Sequence, residues 1–281
     1  MIGHYGRNSI GAESPTNVAS LSKAITAVCV TSLVDKGKLT FNTPIAALPG
    51  FQKKTGPWPR GSASSITVGR LLRHTSGITF DPTQYGMSLL PKTSTAERVL
   101  IRRALSRPLG ATPGTKEVYN NVNYAILGAL IAHVSGESYE KYCRREVLVP
   151  RGAPTARIGP GTRAMGAFGG WEISAAEYAN FARAFDRRST LLSPAGHQFI
   201  DAFAVPGRAT AALGVYVVRT PGGRNVFHHG DWRSVSTRPR EFSAFFALWD
   251  NGVSVVVTYD KRLTDDARRS LDNSLRQAAY A

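Results

Sequence analysis

The segment NVASLSKAITAVCVTSLV, from Asn17 to Val34, is apolar at nearly every position and lacks a polar stripe. A helix that is apolar on all sides is typically buried. We predict that this helix begins at Ser20 and ends at Gly37, because glycine readily adopts the left-handed conformation that terminates helices. Lys23 is the one charged residue within this segment, and its presence in a helix predicted to be buried needs an explanation.

Apolar spacing with a helical period recurs through the middle of the chain. Thr67 is a predicted N-cap for a short helix in ITVGRLLRHTSG, which stops at Gly77. Ser174, with Glu177 three positions later, has the spacing of a capping box. Other predicted helices are Thr95–Ser106, Asn121–Ser135 and Ser138–Val147, whereas LTFNTPIAALPGFQKKTGPWPRGSASS (39–65) has the proline and glycine content of a long surface loop.

After Ala211 the pattern changes to short segments rich in β-branched and aromatic residues, which favour strands. These segments are ALGVYVVR, NVFHH, FSAFFALW and VSVVVTY. Pro221-Gly222-Gly223 and Asp250-Asn251-Gly252 supply the turns of two hairpins, and a final helix is predicted over Asp265–Ala278. This order predicts an α+β fold, in which an antiparallel β-sheet is flanked by helices and lies beside a mainly helical lobe.

Length and composition fit one large domain or two interleaved lobes. The 281 residues are 42% hydrophobic and 19% charged, a globular balance that argues against disorder. No apolar run is long enough to cross a bilayer, and MIGHYGRNSIGAESP lacks the apolar centre of a secretory signal. Cys29 and Cys143 can pair or remain free thiols, so the sequence leaves the redox compartment open.

The net charge of +16 predicts attraction to polyanions such as nucleic acid, anionic lipid or an acidic cell-wall polymer. The basic residues are dispersed, with short pairs in or beside predicted helices, and no nucleic-acid motif accompanies them. Solvated helix faces explain these pairs more simply, which makes nucleic-acid binding the weakest functional hypothesis. The pairs are Arg102-Arg103, Arg144-Arg145, Arg187-Arg188 and Arg268-Arg269.

Ser20 and Lys23 are three residues apart, so a helix places their side chains on one face. Burial lowers the pKa of a lysine, and a neutral lysine can take the proton from a neighbouring serine. The backbone N–H of Ser20, at the start of the helix, is free to hold a developing oxyanion. The alternative is that Ser20 only caps the helix while Lys23 extends to water.

Two further stretches carry groups suited to catalysis. In the first, Tyr119 can relay a proton beside a lysine, and the amide of Asn121 can both donate to and accept from a substrate amide; the alternative is a turn residue and a helix cap. In the second, His228 precedes Gly230 at the end of a predicted strand, where a glycine lets a substrate backbone come close. The adjacent histidine pair is a weaker candidate for a metal fragment, because the spacing of known metal motifs is absent.

Taken together, Ser20-x-x-Lys23, Tyr119-x-Asn121 and His228-x-Gly230 resemble the motifs of the serine β-lactamase-related family, which includes class C β-lactamases, D-alanyl-D-alanine carboxypeptidases, D-aminopeptidases and esterases. His-x-Gly stands where many members have Lys-Thr-Gly. The resemblance extends from about Ser14 to the C-terminus. It also covers DKGKLTFNTPI, LLRHTSGI, PGTKEVYNNVNYAILGALIAHVSGESY and GGWEISAAEYANFARAF.

The resemblance implies that Ser20 is the acylated nucleophile and that Lys23 and Tyr119 share the acid–base work. It implies an oxyanion hole made by the backbone N–H groups of Ser20 and Asp231. It also implies substrate binding by Asn121, His228, Gly230 and Asp231, with His228 orienting Tyr119 or the substrate. His74 in LLRHTSGI is interpreted as a packing residue. No cofactor and no metal are implied.

The resemblance further implies one β-lactamase-like domain over residues 1–281, with a helical lobe at about 40–180, a sheet lobe from 1–39 and 205–281, and the active site between them. The expected substrates are small amides, esters or β-lactams. Because His-x-Gly is more usual in peptidases and esterases, D-alanine-containing peptides and esters rank above β-lactams. A periplasmic or secreted location is also implied.

Two departures from the family are visible. Only 19 residues precede Ser20, where members have a helix and two strands, so we expect the N-terminal strands to be missing or reduced, with at most one short strand in MIGHYGR. Asp231 stands where members often have a small neutral residue, and Arg233 is the candidate to neutralise it. These departures keep open a second hypothesis: a catalytically weak protein that binds cell-wall or acidic ligands in the same cleft.

Overall fold

The computed structural model describes residues 11–58, 63–84, 96–233, 241–259 and 261–281. Its helices are α1 (Ser22–Asp35), α2 (Phe51–Thr55), α3 (Val68–Leu72), α4 (Ala96–Leu105), α5 (Asn121–Ser135), α6 (Tyr139–Cys143), α7 (Gly166–Gly169), α8 (Ala175–Ala182), α9 (Pro194–Phe203) and α10 (Asp265–Tyr280). The predicted α+β fold is confirmed. The proposed short strand in MIGHYGR lies outside the described residues.

The strands form two antiparallel sheets. The small sheet has the order β1 (Thr16–Asn17), β3 (Trp171–Ile173), β2 (Arg157–Ile158), and the large sheet has the sequential order β4 (Thr210–Ala212), β5 (Val215–Thr220), β6 (Gly223–Arg233), β7 (Glu241–Leu248), β8 (Ser254–Tyr259). Both predicted hairpin turns are present, because Thr220 pairs with Gly223 and Leu248 pairs with Ser254.

Helix α1 lies at the centre of the hydrophobic core, as its apolar pattern predicts. Eleven of its residues are buried, among them Lys23, and it packs against α5, α7 and the helix turn that begins at Arg144. The predicted start needs a correction: Ser20 lies in a separate 3₁₀ turn, Ala19–Leu21, and the α-helix begins at Ser22. The residue Gly37, with φ of 65°, lies just beyond the helix, as expected.

Local signals are confirmed at several helix starts. Thr67 accepts a hydrogen bond from the backbone N–H of Arg70 at 3.2 Å, and Ser174 accepts one from Glu177 at 3.1 Å. Helix α5 has the predicted limits. The predicted stop at Gly77 is wrong by several residues, because His74, with φ of 56°, already lies outside the helical region.

Three other predictions need correction, because local composition does not show the structure that these segments adopt. The predicted loop over 39–65 contains α2, which is anchored by the fully buried Phe51. The segment ALGVYVVR is two strands rather than one, because Leu213 and Gly214 both have positive φ and form the turn between β4 and β5. The helix predicted over Ser138–Val147 becomes a π-helix at Arg144.

Cys29 and Cys143 form a disulfide, which resolves the alternatives left by the sequence. It joins the middle of α1 to the end of α6, 114 residues further along the chain, and both residues are fully buried. The helix that follows Ser20 is therefore covalently tied to the helical part of the molecule. Within the described ranges, no helix is long and apolar enough to span a membrane.

Candidate active site

The turn that carries Ser20 is held in an unusual backbone conformation. Ala19 has φ of 46°, a region that costs a non-glycine residue about 1–2 kcal/mol. The side chain of Asn17 stabilises the turn on both sides: its Oδ1 accepts from the N–H of Ala19 at 2.9 Å and its Nδ2 donates to the carbonyl of Gly169 at 3.0 Å. Strand β1 therefore fixes the turn against the small sheet.

Two donors converge on the Ser20 hydroxyl. Lys23 Nζ donates to Ser20 Oγ at 2.9 Å, and the Tyr119 hydroxyl donates to the same oxygen at 2.9 Å. A third contact takes Lys23 Nζ to the carbonyl of Phe168 at 2.8 Å, and the lysine is 0% exposed. The alternative of a capping serine with a solvent-seeking lysine is therefore wrong.

Burial makes Lys23 a suitable base. It lowers the pKa of Lys23 from 10.5 to about 7, and the negative charge of Asp81 opposes this shift. The rings of Tyr119, Tyr124 and Phe168 surround the amine, with centroids 4.9, 5.8 and 6.0 Å from Nζ. The position of a lysine inside an apolar helix is thus explained by an amine that loses its proton near neutral pH.

Tyr119 joins the site from the segment that precedes α5. Burial of its hydroxyl raises the pKa of Tyr119 above 10, so the phenol stays protonated, although 39% of the residue is exposed at the cleft. The ring of His74 packs against it at a centroid distance of 4.5 Å. His74 Nδ1 accepts from the N–H of Asn120 at 3.2 Å, a contact typical of the packing role predicted for this histidine.

Asn121 is at the first position of α5, and Asn120 caps that helix. The amide of Asn121 donates to Thr83 Oγ1 at 2.8 Å, and its backbone N–H donates to Asp81 at 2.9 Å. Among the described residues, no hydrogen bond joins Asn121 to Ser20, Lys23 or Tyr119. Substrate binding by Asn121 therefore stays a prediction.

His228 is 4% exposed on the cleft side of β6. Its Nδ1 donates to the carbonyl of His229 at 2.5 Å, because a carbonyl can only accept, and Nε2 is left as an acceptor. Burial, followed by the charge of Lys23, lowers the pKa of His228 to about 3, so the ring is neutral. His228 and His229 point to opposite faces of the strand, which does not suit a shared metal ion. Among the described residues, no cluster of His, Cys, Asp and Glu could hold a metal.

Gly230 is required by the protein's own backbone, whereas the sequence suggested an approaching substrate. A Cβ atom at this position would lie 2.6 Å from the carbonyl oxygen of Val18 and 2.9 Å from the N–H nitrogen of Ser20. Strand β6 therefore touches the turn that carries Ser20 directly. The residue after Gly230 is Asp231, so the peptide that joins the two residues adjoins this contact with Ser20.

The side chain of Asp231 points away from this cleft. Its Oδ1 accepts from Ser243 at 2.9 Å, and its Oδ2 pairs with Arg268 at 3.2 Å. The prediction that Arg233 neutralises Asp231 is wrong, because Arg233 pairs with Glu241 at 3.5 Å. The carboxylate is paired on the far face of the sheet, and it does not oppose an oxyanion near Ser20.

Sequence comparison agrees with this geometry. The sequence model of the Beta-lactamase family matches residues 4–279. The chain belongs to the beta-lactamase family. A curated relative in Bacillus subtilis (strain 168), the putative penicillin-binding protein PbpX, is 34% identical over 136 residues, which are 48% of this chain and 30% of that protein. The chain thus matches less than a third of this relative's length.

Solved structures of beta-lactamase-like proteins share the fold. The penicillin-binding protein from Bacillus halodurans superposes with a TM-score of 0.75 at 19% identity, covering 94% of this chain and 87% of that one. The D-amino acid amidase from Ochrobactrum anthropi SV3 also has a TM-score of 0.75, at 16% identity, covering 95% of this chain and 88% of that one. At these identities the likeness concerns the fold alone.

The beta-lactamase-like site also depends on residues that the sequence did not single out. Asn17 stands in the same segment as Ser20, but nothing local indicates that its partner is Gly169. Gly214 has φ of 77°, and a Cβ atom there would collide with the backbone of Lys23. The signal available for Gly214 is a Leu-Gly pair directly before the β-branched and aromatic run VYVV, which is a weak hairpin signal.

Proposed function

We propose that the protein is a serine hydrolase, in which Ser20 forms an acyl-enzyme with small amides, esters or β-lactams. The observation that carries this proposal is the convergence of Lys23 and Tyr119 on the Ser20 hydroxyl, with the lysine fully buried. A base whose pKa is about 7 is neutral often enough to accept a proton at physiological pH.

Acylation follows from this geometry. Neutral Lys23 takes the proton of Ser20, and Ser20 Oγ attacks the carbonyl carbon of the substrate. The resulting oxyanion is held by the backbone N–H groups of Ser20 and Asp231. Tyr119 donates its proton to the leaving group and is reprotonated by Lys23, so both groups return to their starting states when the leaving group departs.

Deacylation repeats these steps with water as the nucleophile. Lys23, assisted by Tyr119, removes a proton from a water molecule that attacks the acyl carbon, and the proton returns to Ser20 Oγ as the ester bond breaks. Asn121 and His228 contact the substrate. The neutral ring of His228 accepts a hydrogen bond through Nε2, and the Asn121 amide gives up its hydrogen bond to Thr83 and bonds to the substrate instead. Gly230 keeps this edge of the cleft narrow.

D-amino acid amides, peptides ending in D-alanine and simple esters are the preferred substrate classes, ahead of β-lactams. The His228-x-Gly230 motif supports this order. The buried Cys29–Cys143 disulfide is typical of an oxidising compartment, which fits the proposed periplasmic or secreted location.

A fluorophosphonate or penicillin probe followed by mass spectrometry tests the proposal. We expect one adduct on the peptide that contains Ser20 and none in Ser20→Ala. The matched control is Ser106→Ala, because Ser106 is exposed and its hydroxyl donates to the backbone carbonyl of Arg103 within its own helix end; this variant should label like the wild type. An adduct that persists in Ser20→Ala would assign the nucleophile elsewhere.

The rival function is a weak or inactive protein that binds cell-wall or acidic ligands. Two departures from the family suggested it: the short segment before Ser20 and the carboxylate of Asp231. The second no longer supports it, because Asp231 is paired away from Ser20. Binding of peptidoglycan fragments without a burst of product from any activated ester would favour the rival.

One surface supports contact with an anionic cell-wall polymer. Helices α2 and α4 touch, and their exposed cations form no salt bridge among the described residues. We name them the basic face: Lys53, Lys54, Arg98, Arg102 and Arg103.

Charge reversal tests the basic face. Replacing three of its cations with glutamate should weaken binding to a polyphosphate probe and reduce its salt dependence. The matched control reverses Lys261, Arg262 and Arg276, which are equally exposed. Equal loss in both variants would indicate attraction by the net charge alone. Tighter binding to duplex DNA than to polyphosphate would favour a nucleic-acid partner instead.

A further inference from the structure

The two faces of β6 have separate partners. Arg224, Val226, His228 and Gly230 are buried on one face, and the alternating residues, including Asp231, lie on the other. The first face meets the turn Ala19–Leu21, which carries Ser20, through Gly230. The second face meets α10, where Arg268 binds Asp231. One residue therefore has its peptide beside Ser20 and its carboxylate on the far side of the sheet.

This part of β6 is supported on one edge only. Within the described ranges, β5 pairs with β6 no further than Phe227, whereas β7 pairs with it as far as Arg233. From His228 onward the other edge faces the cleft. The position of the Asp231 peptide thus depends on β7, on the contact of Gly230 with the turn that carries Ser20, and on the groups that bind the Asp231 side chain.

The contacts of that side chain are specific. Ser243, its register partner on β7, donates to Oδ1 at 2.9 Å, and Arg268 binds Oδ2 at 3.2 Å. Arg268 also bonds to Asp265 at 2.8 Å, so the guanidinium bridges the sheet and the first turn of α10. Both ends of the Asp231–Arg268 pair are partly shielded, with side chains 20% and 25% exposed.

Apolar packing does not replace this link. Helix α10 has no buried residue, and its contacts with the small apolar cluster under β7 come from Leu275 and Ala279 in its second half. Arg268 lies in the first half, where its ion pair with Asp231 joins the helix to β6.

We propose that Arg268 is a positioning residue: through Asp231 it fixes the backbone N–H that completes the oxyanion hole, and α10 thereby becomes part of the catalytic scaffold. This inference rests on the proposed acyl-transfer function. Arg268 touches neither substrate nor Ser20, so its effect is expected in the chemical step, where the oxyanion forms, rather than in substrate binding.

Adjacent arginines on α10 provide a matched pair of variants. Arg269 bonds to Asp266, three residues before it, as Arg268 bonds to Asp265, but only Arg268 also reaches Asp231. Arg268→Gln should lower kcat for an activated ester about 10-fold with little change in KM, a fraction of the 10²–10³-fold loss typical when an oxyanion donor is removed. Arg268→Lys should recover part of the rate, and Arg269→Gln should match the wild type.

A readout that does not need activity separates this inference from the proposed function. Hydrogen exchange in Arg268→Gln should quicken in residues 228–233 and stay unchanged in residues 215–220, at equal Tm. Equal kcat values in Arg268→Gln and Arg269→Gln, or unchanged exchange in residues 228–233, would overturn the proposal that Arg268 positions Asp231. A wild-type protein that hydrolyses no substrate and reacts with no acylating probe would instead overturn the proposed function. Hydrogen exchange in residues 228–233 would then decide by itself whether Arg268 positions Asp231.

Discussion

Helices α1 and α10 each carry a cation that bears on the proposed chemistry, but they do so in opposite environments. Helix α1 is buried almost all round, and among the described residues the hydrogen-bond acceptors of Lys23 are neutral. Helix α10 has no buried residue, and Arg268 binds two carboxylates. A cation that is deprived of water and of an ion-pair partner becomes a base, whereas a cation that keeps its partners becomes a structural link.

The largest test of this contrast replaces Lys23 with methionine. The side chain keeps its length but loses the amine, so kcat/KM should fall by about 10²–10⁴-fold, the range for a general base. Stability should not fall, because methionine suits a fully buried site better than an amine does. Steady-state kinetics and thermal melting measure both effects. A destabilised but active Lys23→Met protein would contradict the assigned role.

The second test removes the covalent support of α1. Replacing Cys29 and Cys143 with serine or alanine should lower the free energy of unfolding by about 4–5 kcal/mol, since the disulfide closes a loop of more than 100 residues. Urea unfolding of the oxidised and reduced wild type gives the same comparison without a mutation. Equal midpoints in the two states would show that packing alone holds α1.

A third test adds one methyl group where β6 meets the turn that carries Ser20. Gly230→Ala should cost about 1–3 kcal/mol of stability and reduce labelling of Ser20, because the Cβ atom would press on Val18 and on Ser20 itself. Gly161→Ala is the matched control, since no atom lies within 4 Å of its added Cβ. Labelling and melting that are the same in both variants would remove the steric argument.

The smallest expected effect is a pH shift. Below its pKa of about 7 Lys23 is protonated and cannot act as a base, so kcat/KM should rise with pH through a midpoint near 7. The negative charge of Asp81 raises that pKa, so Asp81→Asn should move the midpoint to lower pH. In His228→Asn the midpoint should stay in place, because His228 is already neutral. A midpoint that follows His228 would assign the acid limb to the histidine.

The sequence was informative where the deciding contacts are local. The limits of α5, the caps at Thr67 and Ser174, and the pairing of Ser20 with Lys23 all depend on neighbours within four residues. The turn at Leu213 and Gly214 was missed because its positive φ values are fitted to the backbone of α1, which lies far away in sequence.

Long-range partners could be proposed but not chosen. Arg233 is two residues from Asp231, so a strand places both side chains on one face and a pair between them is plausible. In the fold, however, Arg233 pairs with Glu241 on the neighbouring strand, and Arg268 of α10 pairs with Asp231. The pairing of Cys29 with Cys143 likewise depends on how α6 packs on α1. Charge and apolar pattern limit such partners, but the tertiary fold selects among them.

The contact of Gly230 with Val18 and Ser20 has a consequence for inhibitor design. Because β6 and the turn that carries Ser20 meet without an intervening side chain, we expect no room for a bulky acyl group on that side of Ser20, and its accommodation falls to the rim where the Asn121 amide bonds to Thr83. Inhibitors extended toward that rim should meet side chains that can move aside. Inhibitors extended toward β6 should meet closely packed backbone.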